Sequence, residues 1–174
     1  MGIFAPVMNF FRYLLILGLV VGVGVLLLSV VPQRIDEEMT FLQPCDRVRA
    51  WVEDPLRWSR WWEDLKGVHR SDESQYEATK VGLGQIVRID KVESGDKIVR
   101  YAIVDEDERI SYTWHFDDED NHCIVKVLVE IRSNTLRGQL ALAWNRKEWK
   151  EHIEEQLTAL QRVLYEQPVL PQKK

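Results

Sequence analysis

The chain of 174 residues carries 23 basic and 28 acidic side chains, a formal net charge of −5. That length accommodates one domain and an appendage, and the acidic balance argues against a phosphate backbone, so no nucleic-acid partner is expected. The only two cysteines, Cys45 and Cys123, show no metal-ligand spacing and imply no disulfide framework. Both read as buried thiols.

Residues 14–31 read LLILGLVVGVGVLLLSVV, eighteen positions without a charge. As a helix at about 1.5 Å per residue the run covers roughly 27 Å, close to the hydrocarbon thickness of a bilayer. Phe10, Phe11 and Tyr13 at its start suit the headgroup region. Arg12 and Arg34 bracket it with side chains long enough to snorkel. The run exceeds a signal-peptide core, and LLSVVPQ lacks the small-residue pattern of a cleavage site. No polar stripe marks it as a buried core helix. Residues 1–34 are therefore expected to be a retained single-pass anchor, in a bacterial cell membrane. Arg12 before the run and Arg34, Arg47 and Arg49 after it leave the side of the membrane open. No acidic residue precedes Asp36, so the remainder is more acidic than the whole.

Pro32 ends the run. Within 35–42, IDEEMTFL, Glu38 and Thr40 alternate with Met39 and Phe41, as a strand requires. Pro44 suits a first helical turn, and Val48, Trp51 and Val52 follow at i, i+3 and i+4 on one face. Asp54-Pro55 breaks that helix. Trp58, Trp61 and Trp62 repeat the spacing, which predicts a second short helix with three rings on one side.

From residue 67 the texture becomes a meander. A weak strand covers 67–76, and Gly82 and Gly84 mark a turn. Strands follow over 84–93, 97–104, 109–116 and 123–131. The acidic stretches Asp105–Glu108 and Asp117–Asn121 read as solvated turns between antiparallel neighbours. In RISYTWHF, Ile110, Tyr112, Trp114 and Phe116 share one face, and Ser111, Thr113 and His115 the other. Cys123, Val125, Val127, Val129 and Ile131 share a face of the next strand. The loop SNTLRGQ leads to one long amphipathic helix between Trp144 and Glu166, striped by Trp149, Ile153, Leu157, Leu160 and Leu164. A sheet with one apolar face needs a cover, and this helix carries the matching stripe. The expected fold is α+β: a curved antiparallel sheet around a long C-terminal helix, preceded by one N-terminal transmembrane helix. The expected boundaries are 1–34, 35–166 and a tail at 167–174.

Residues 35–166 resemble the START-like SRPBCC superfamily, which includes polyketide cyclase/dehydrase-type domains. The resemblance rests on CDRVRAWVEDPLRWSRWW after the first strand, on the glycine-bearing VGLGQIVRI, on the aromatic strand ISYTWHF and on the closing position of the last helix. It implies a helix-grip fold whose bent sheet and C-terminal helix enclose a deep, mostly apolar cavity. It also implies a hydrophobic small molecule or lipid as ligand, with no reaction carried over, because the family shares a container rather than a chemistry.

Trp58 and Trp61 match positions that pack the short helices onto the sheet. Trp62 is expected to pack there, to line the cavity mouth, or to face the bilayer if the domain lies low on its tether. Tyr101, Tyr112, Trp114, Phe116 and Val127 point inward as core or cavity wall, where a few polar groups among apolar side chains hold a ligand. Arg88, Arg100 and Glu130 face outward by alternation, as does His115. His122 and Cys123 are adjacent and point oppositely, and His69 and His152 have no partner at informative spacing, so no metal site is expected. The acidic stretches lack the ligand periodicity of a calcium loop. No cofactor motif is present, and no nucleophile sits in a recognisable elbow, so no catalytic residue is assigned. The expectation is a membrane-anchored binding module without catalysis. A cyclase or dehydratase, or a tethered protein-interaction domain, are the alternatives.

Overall fold

Alternation in the residues after Pro32 becomes the first strand of a single sheet. The computed structural model describes residues 12–24, 32–119 and 122–166. Residues 12–24 are helical (α1), with their side chains exposed up to residue 23. The rest of the apolar run, residues 25–31, and the C-terminal tail from residue 167 lie outside the described residues. Among the described residues no helix is long and apolar enough to cross a membrane.

The order after α1 is β1 (Gln33–Phe41), α2 (Cys45–Val52), a 3-10 helix (Pro55–Arg60), β2 (Leu65–Arg70), β3 (Gln75–Lys80), β4 (Ile86–Ser94), β5 (Ile98–Val104), β6 (Glu108–Glu119), β7 (His122–Ser133), α3 (Leu136–Trp144) and α4 (Arg146–Glu166). Seven antiparallel strands form one curved sheet in the order β1-β7-β6-β5-β4-β3-β2. The turn between β3 and β4 holds Gly82 and Gly84 at φ 84° and 65°, the left-handed region that a side chain would strain.

Period-two patterning fixes what the sheet buries. Val99, Tyr101 and Ile103 on β5 face Trp114, Tyr112 and Ile110 on β6. These in turn face Val127, Val129 and Ile131 on β7, and all nine are buried. The α4 stripe of Ile153, Leu157, Leu160 and Leu164 closes over this face, with Trp149 packed at its edge.

Four expectations are corrected. Cys45 and Cys123 are a disulfide, not free thiols. They lie 78 residues apart, and the first turn of α2 comes over the start of β7 only in the folded chain. The second short helix is a 3-10 turn that stops at Arg60; Trp61 caps it and Trp62 lies beyond it. The C-terminal helix is two helices. SNTLRGQ contains a start rather than a plain loop: the Thr135 hydroxyl accepts the Gly138 N–H at 3.1 Å and caps α3. Gly138 is required there, because a Cβ would collide with the Ser133 side chain. Asn145 then ends α3 before α4 begins. Asp117–Glu119 also extend β6 rather than forming a turn.

Candidate functional site

The space that the resemblance assigns to a cavity is filled by rings. Trp58 meets Tyr101 edge to face at 4.8 Å, Trp62 meets Tyr112 at 4.9 Å, and Trp61 meets Trp114 at 6.1 Å. Each tryptophan of the 58–62 stretch therefore covers one aromatic of the β5–β6 surface. Trp58 and Trp62 also stack at 4.8 Å. Trp58 donates its indole N–H to the Val52 carbonyl at 2.9 Å. The indole N–H groups of Trp61 and Trp114 are buried without an acceptor among the described residues.

Among the described residues, a cavity of about 50 Å3 lies beside Trp62 and Tyr112. Small-molecule sites run to roughly 300–1,000 Å3, so this hollow has room for a few waters and no more. Among the described residues this hollow is not the deep cavity expected, and the six large rings around it are the reason. Trp62 and Tyr112, both expected on the cavity wall, border the small hollow. Tyr101, Trp114, Phe116 and Val127 are buried in the packed core instead, and Tyr101 donates its hydroxyl to the Glu53 carbonyl. Arg88, Arg100 and Glu130 point out of the sheet and pair with Asp90, Glu93 and Arg34.

Polar side chains converge where the cavity meets the surface. His152 on α4 places Nε2 2.7 Å from the Asp64 carboxylate, just before β2. Gln156, one turn further along α4 and buried, places its amide nitrogen 2.8 Å from the same ring nitrogen. One nitrogen thus serves two partners: protonated, it donates to Asp64; bare, it accepts from Gln156. The bond to His152 holds the Asp64 carboxyl below its ordinary range despite partial burial. The same bond raises the His152 pKa, against the opposing effect of burial. Burial pushes the Tyr112 phenol well up, and the Asp64 charge adds to this.

Lys80, Asp105 and Glu108 also line the cavity. Lys80 lies 3.6 Å from Asp105, whose carboxylate is already accepting the backbone N–H groups of Asp107 and Glu108. Burial raises the Glu108 pKa, and Lys80 opposes the shift.

Asp64, His152 and Gln156 line a second space, an open groove of about 650 Å3 along α4. Trp61, Thr158 and Ala159 supply its less polar wall, and Glu63, Glu151, Glu154 and Glu155 an acidic rim. The trio is thus a partition between groove and interior. Sequence reading missed it. His152 and Gln156 flank the apolar stripe at i, i+4 spacing, which was the only signal. Nothing local pointed to Asp64.

The pair makes stability depend on pH with a definite sign. The raised His152 pKa contributes stability that is complete below the ordinary histidine value of about 6.5 and is lost as pH rises through the folded value. The lowered Asp64 pKa contributes stability present above the ordinary aspartate value of about 3.9 and lost as pH falls through the folded value. Thermal unfolding from pH 4 to 9 should show a maximum between these limits that His152→Gln flattens on the alkaline side. Asp64 is partly exposed, so screening keeps the effect within about 1 kcal/mol. An unchanged profile in the variant would remove the ion pair from the account.

No protein-family model matches the chain, and no curated protein matches it. Solved structures do. A Thermus thermophilus protein is 17% identical, with a TM-score of 0.63 over 77% of this chain and 98% of that one. A START superfamily protein from Mycobacterium smegmatis is 9% identical, with a TM-score of 0.61 over 76% and 97%. A di-domain ARO/CYC protein, BexL, from a biosynthetic pathway is 16% identical, with a TM-score of 0.60 over 75% of this chain and 45% of that one. At such identities the likeness is one of fold: this chain shares the helix-grip architecture of the START superfamily protein, an antiparallel curved sheet closed by a C-terminal helix.

Proposed function

We propose that this chain is a membrane-anchored module that binds a hydrophobic small molecule or lipid along α4, without catalysis. The observation that carries the reading is the shared wall: Asp64, His152 and Gln156 separate a groove large enough for a ligand from an interior that is almost full. The ligand's body lies in the groove, and only a small tip reaches Trp62 and Tyr112 past the trio. The rim sets four carboxylates against one guanidinium, Arg162, which pairs with Glu63; its balance stays acidic, so a neutral or cationic amphiphile is the better fit. Helix-grip neighbours that include a START superfamily protein lend general support.

The anchor rests on the uncharged run at 14–31. The Cys45–Cys123 disulfide favours the oxidising face of that membrane for the domain, since such bonds persist outside the reducing cytosol.

Native mass spectrometry of the full chain released from lipid nanodiscs tests the ligand reading. One retained amphiphile per chain is expected, and Gln156→Trp, which plugs the partition, should abolish its retention. Retention unaffected by that variant would place the ligand elsewhere, and a chain that releases empty would end the proposal.

A cyclase- or dehydratase-type enzyme is the second reading. It is favoured by one observation: a hydrogen-bonded His–carboxylate pair beside Tyr112, on a surface open to the groove. Such a pair can exchange a proton with a bound ligand. Recovery of a chemically altered ligand from the wild type, and of the unaltered one from His152→Gln, would favour it.

A further inference from the structure

Helix α3 has one face on the protein, and its other face meets nothing among the described residues. Gln139 and Leu142 are buried. Leu136, Leu140 and Trp144, spaced i, i+4, i+8, stand 47%, 39% and 91% exposed. Three large apolar side chains in one exposed row on so short a helix are unusual for a water-facing surface. Charged residues border them: Arg137 follows Leu136, and Arg146, Lys147 and Lys150 share with Asp36 and Glu37 the surface groove that holds Trp144 and Ile35, Lys147 pairing with Glu151 and Lys150 with Glu37.

The position of this row in the fold says what covers it. β1 begins at Gln33, two residues after the uncharged run at 14–31 ends. Gln33 pairs with Ile131 near the end of β7, and β7 leads directly into α3. At the other end of α3, Arg146 donates to the Arg34 carbonyl at 3.3 Å. Both ends of α3 are therefore tied to the point where the chain leaves its apolar run.

We propose that the exposed face of α3 docks on the anionic lipid surface of the membrane that this run enters. Leu136 and Leu140 enter the acyl boundary, Trp144 takes the interfacial position that tryptophan favours, and Arg137 and Lys147 meet lipid phosphates. The tether holds the face at high local concentration beside the bilayer, so a weak, short contact suffices. Docking also holds the domain low, in a fixed orientation on its anchor. The inference rests on the anchored reading above.

The test uses the full chain in vesicles of phosphatidylcholine with or without phosphatidylglycerol, carrying bromine on the acyl chains as a fluorescence quencher. The difference between the wild type and Trp144→Phe isolates the emission of Trp144. In anionic vesicles that emission should be blue-shifted and mostly quenched, and Arg137→Gln with Lys147→Gln should restore much of it. A chain that floats with the vesicles while Trp144 stays unquenched overturns docking and leaves the anchor standing. Trp144 shielded from aqueous iodide yet unquenched by brominated lipid also overturns it, because a second copy or the chain's own α1 then covers the face. A chain that does not float overturns the anchor and this inference together.

Discussion

Replacing Trp58 with alanine is expected to cost about 3–5 kcal/mol, the range for truncating a large buried aromatic. Trp58 is fully buried, stacked on Trp62 and set edge-on to Tyr101. Its loss opens a hole between α2 and the β5–β6 surface. It also leaves the Val52 carbonyl without its donor, which adds about 1–3 kcal/mol if water cannot reach the site. Domains of this kind hold about 5–15 kcal/mol in total, so the variant sits near the edge of folding. Urea denaturation followed by circular dichroism gives the measurement. Trp58→Phe keeps most of the apolar area and loses the indole donor, and it should recover more than half of the deficit. A Trp58→Ala cost below about 2 kcal/mol would mean that the three tryptophans do not form the plug described above.

Loss of the Cys45–Cys123 bond is the second large effect. Closing a loop of 78 residues removes chain entropy from the unfolded state, worth on the order of 4 kcal/mol in the loop-closure model and about 2–5 kcal/mol when native disulfides are removed. The double replacement by alanine is the cleaner variant, because Cys123 is fully buried and serine there would bury a hydroxyl. Its unfolding free energy should fall by that amount, and dithiothreitol should lower the wild type to the same level while leaving the variant unmoved. Thiol titration of the chain as isolated bears on location as well as stability. Two free thiols under denaturing, non-reducing conditions would remove both the crosslink and the argument for an oxidising compartment.

The strands and the α4 stripe were legible because their cause is local. Alternation in 109–116 and 123–131 and the stripe from Trp149 to Leu164 are set by which side chains the sheet and helix must bury. The burial of Trp58 and Trp61 was expected from the resemblance of CDRVRAWVEDPLRWSRWW to the superfamily rather than from a local pattern. The start of α3 was not legible, because Thr135 and Gly138 read alike as loop residues and as a cap with a close approach. The polar partition was less legible still. It joins Asp64 before β2 to His152 and Gln156 on the last helix, and that meeting exists only once β1 and β7 pair and α4 lies down across the sheet.

By itself, then, the order of residues determined an uncharged N-terminal run, an antiparallel sheet with one apolar face, and a terminal helix to cover it. These follow from periodicity and charge, which any short window displays. Tertiary structure alone decided that Cys45 meets Cys123, that Asp64 meets His152, and that the aromatic rings leave about 50 Å3 beside Trp62. Contacts between distant residues, and the volume left over after packing, are properties of the whole folded chain, so no local pattern encodes them.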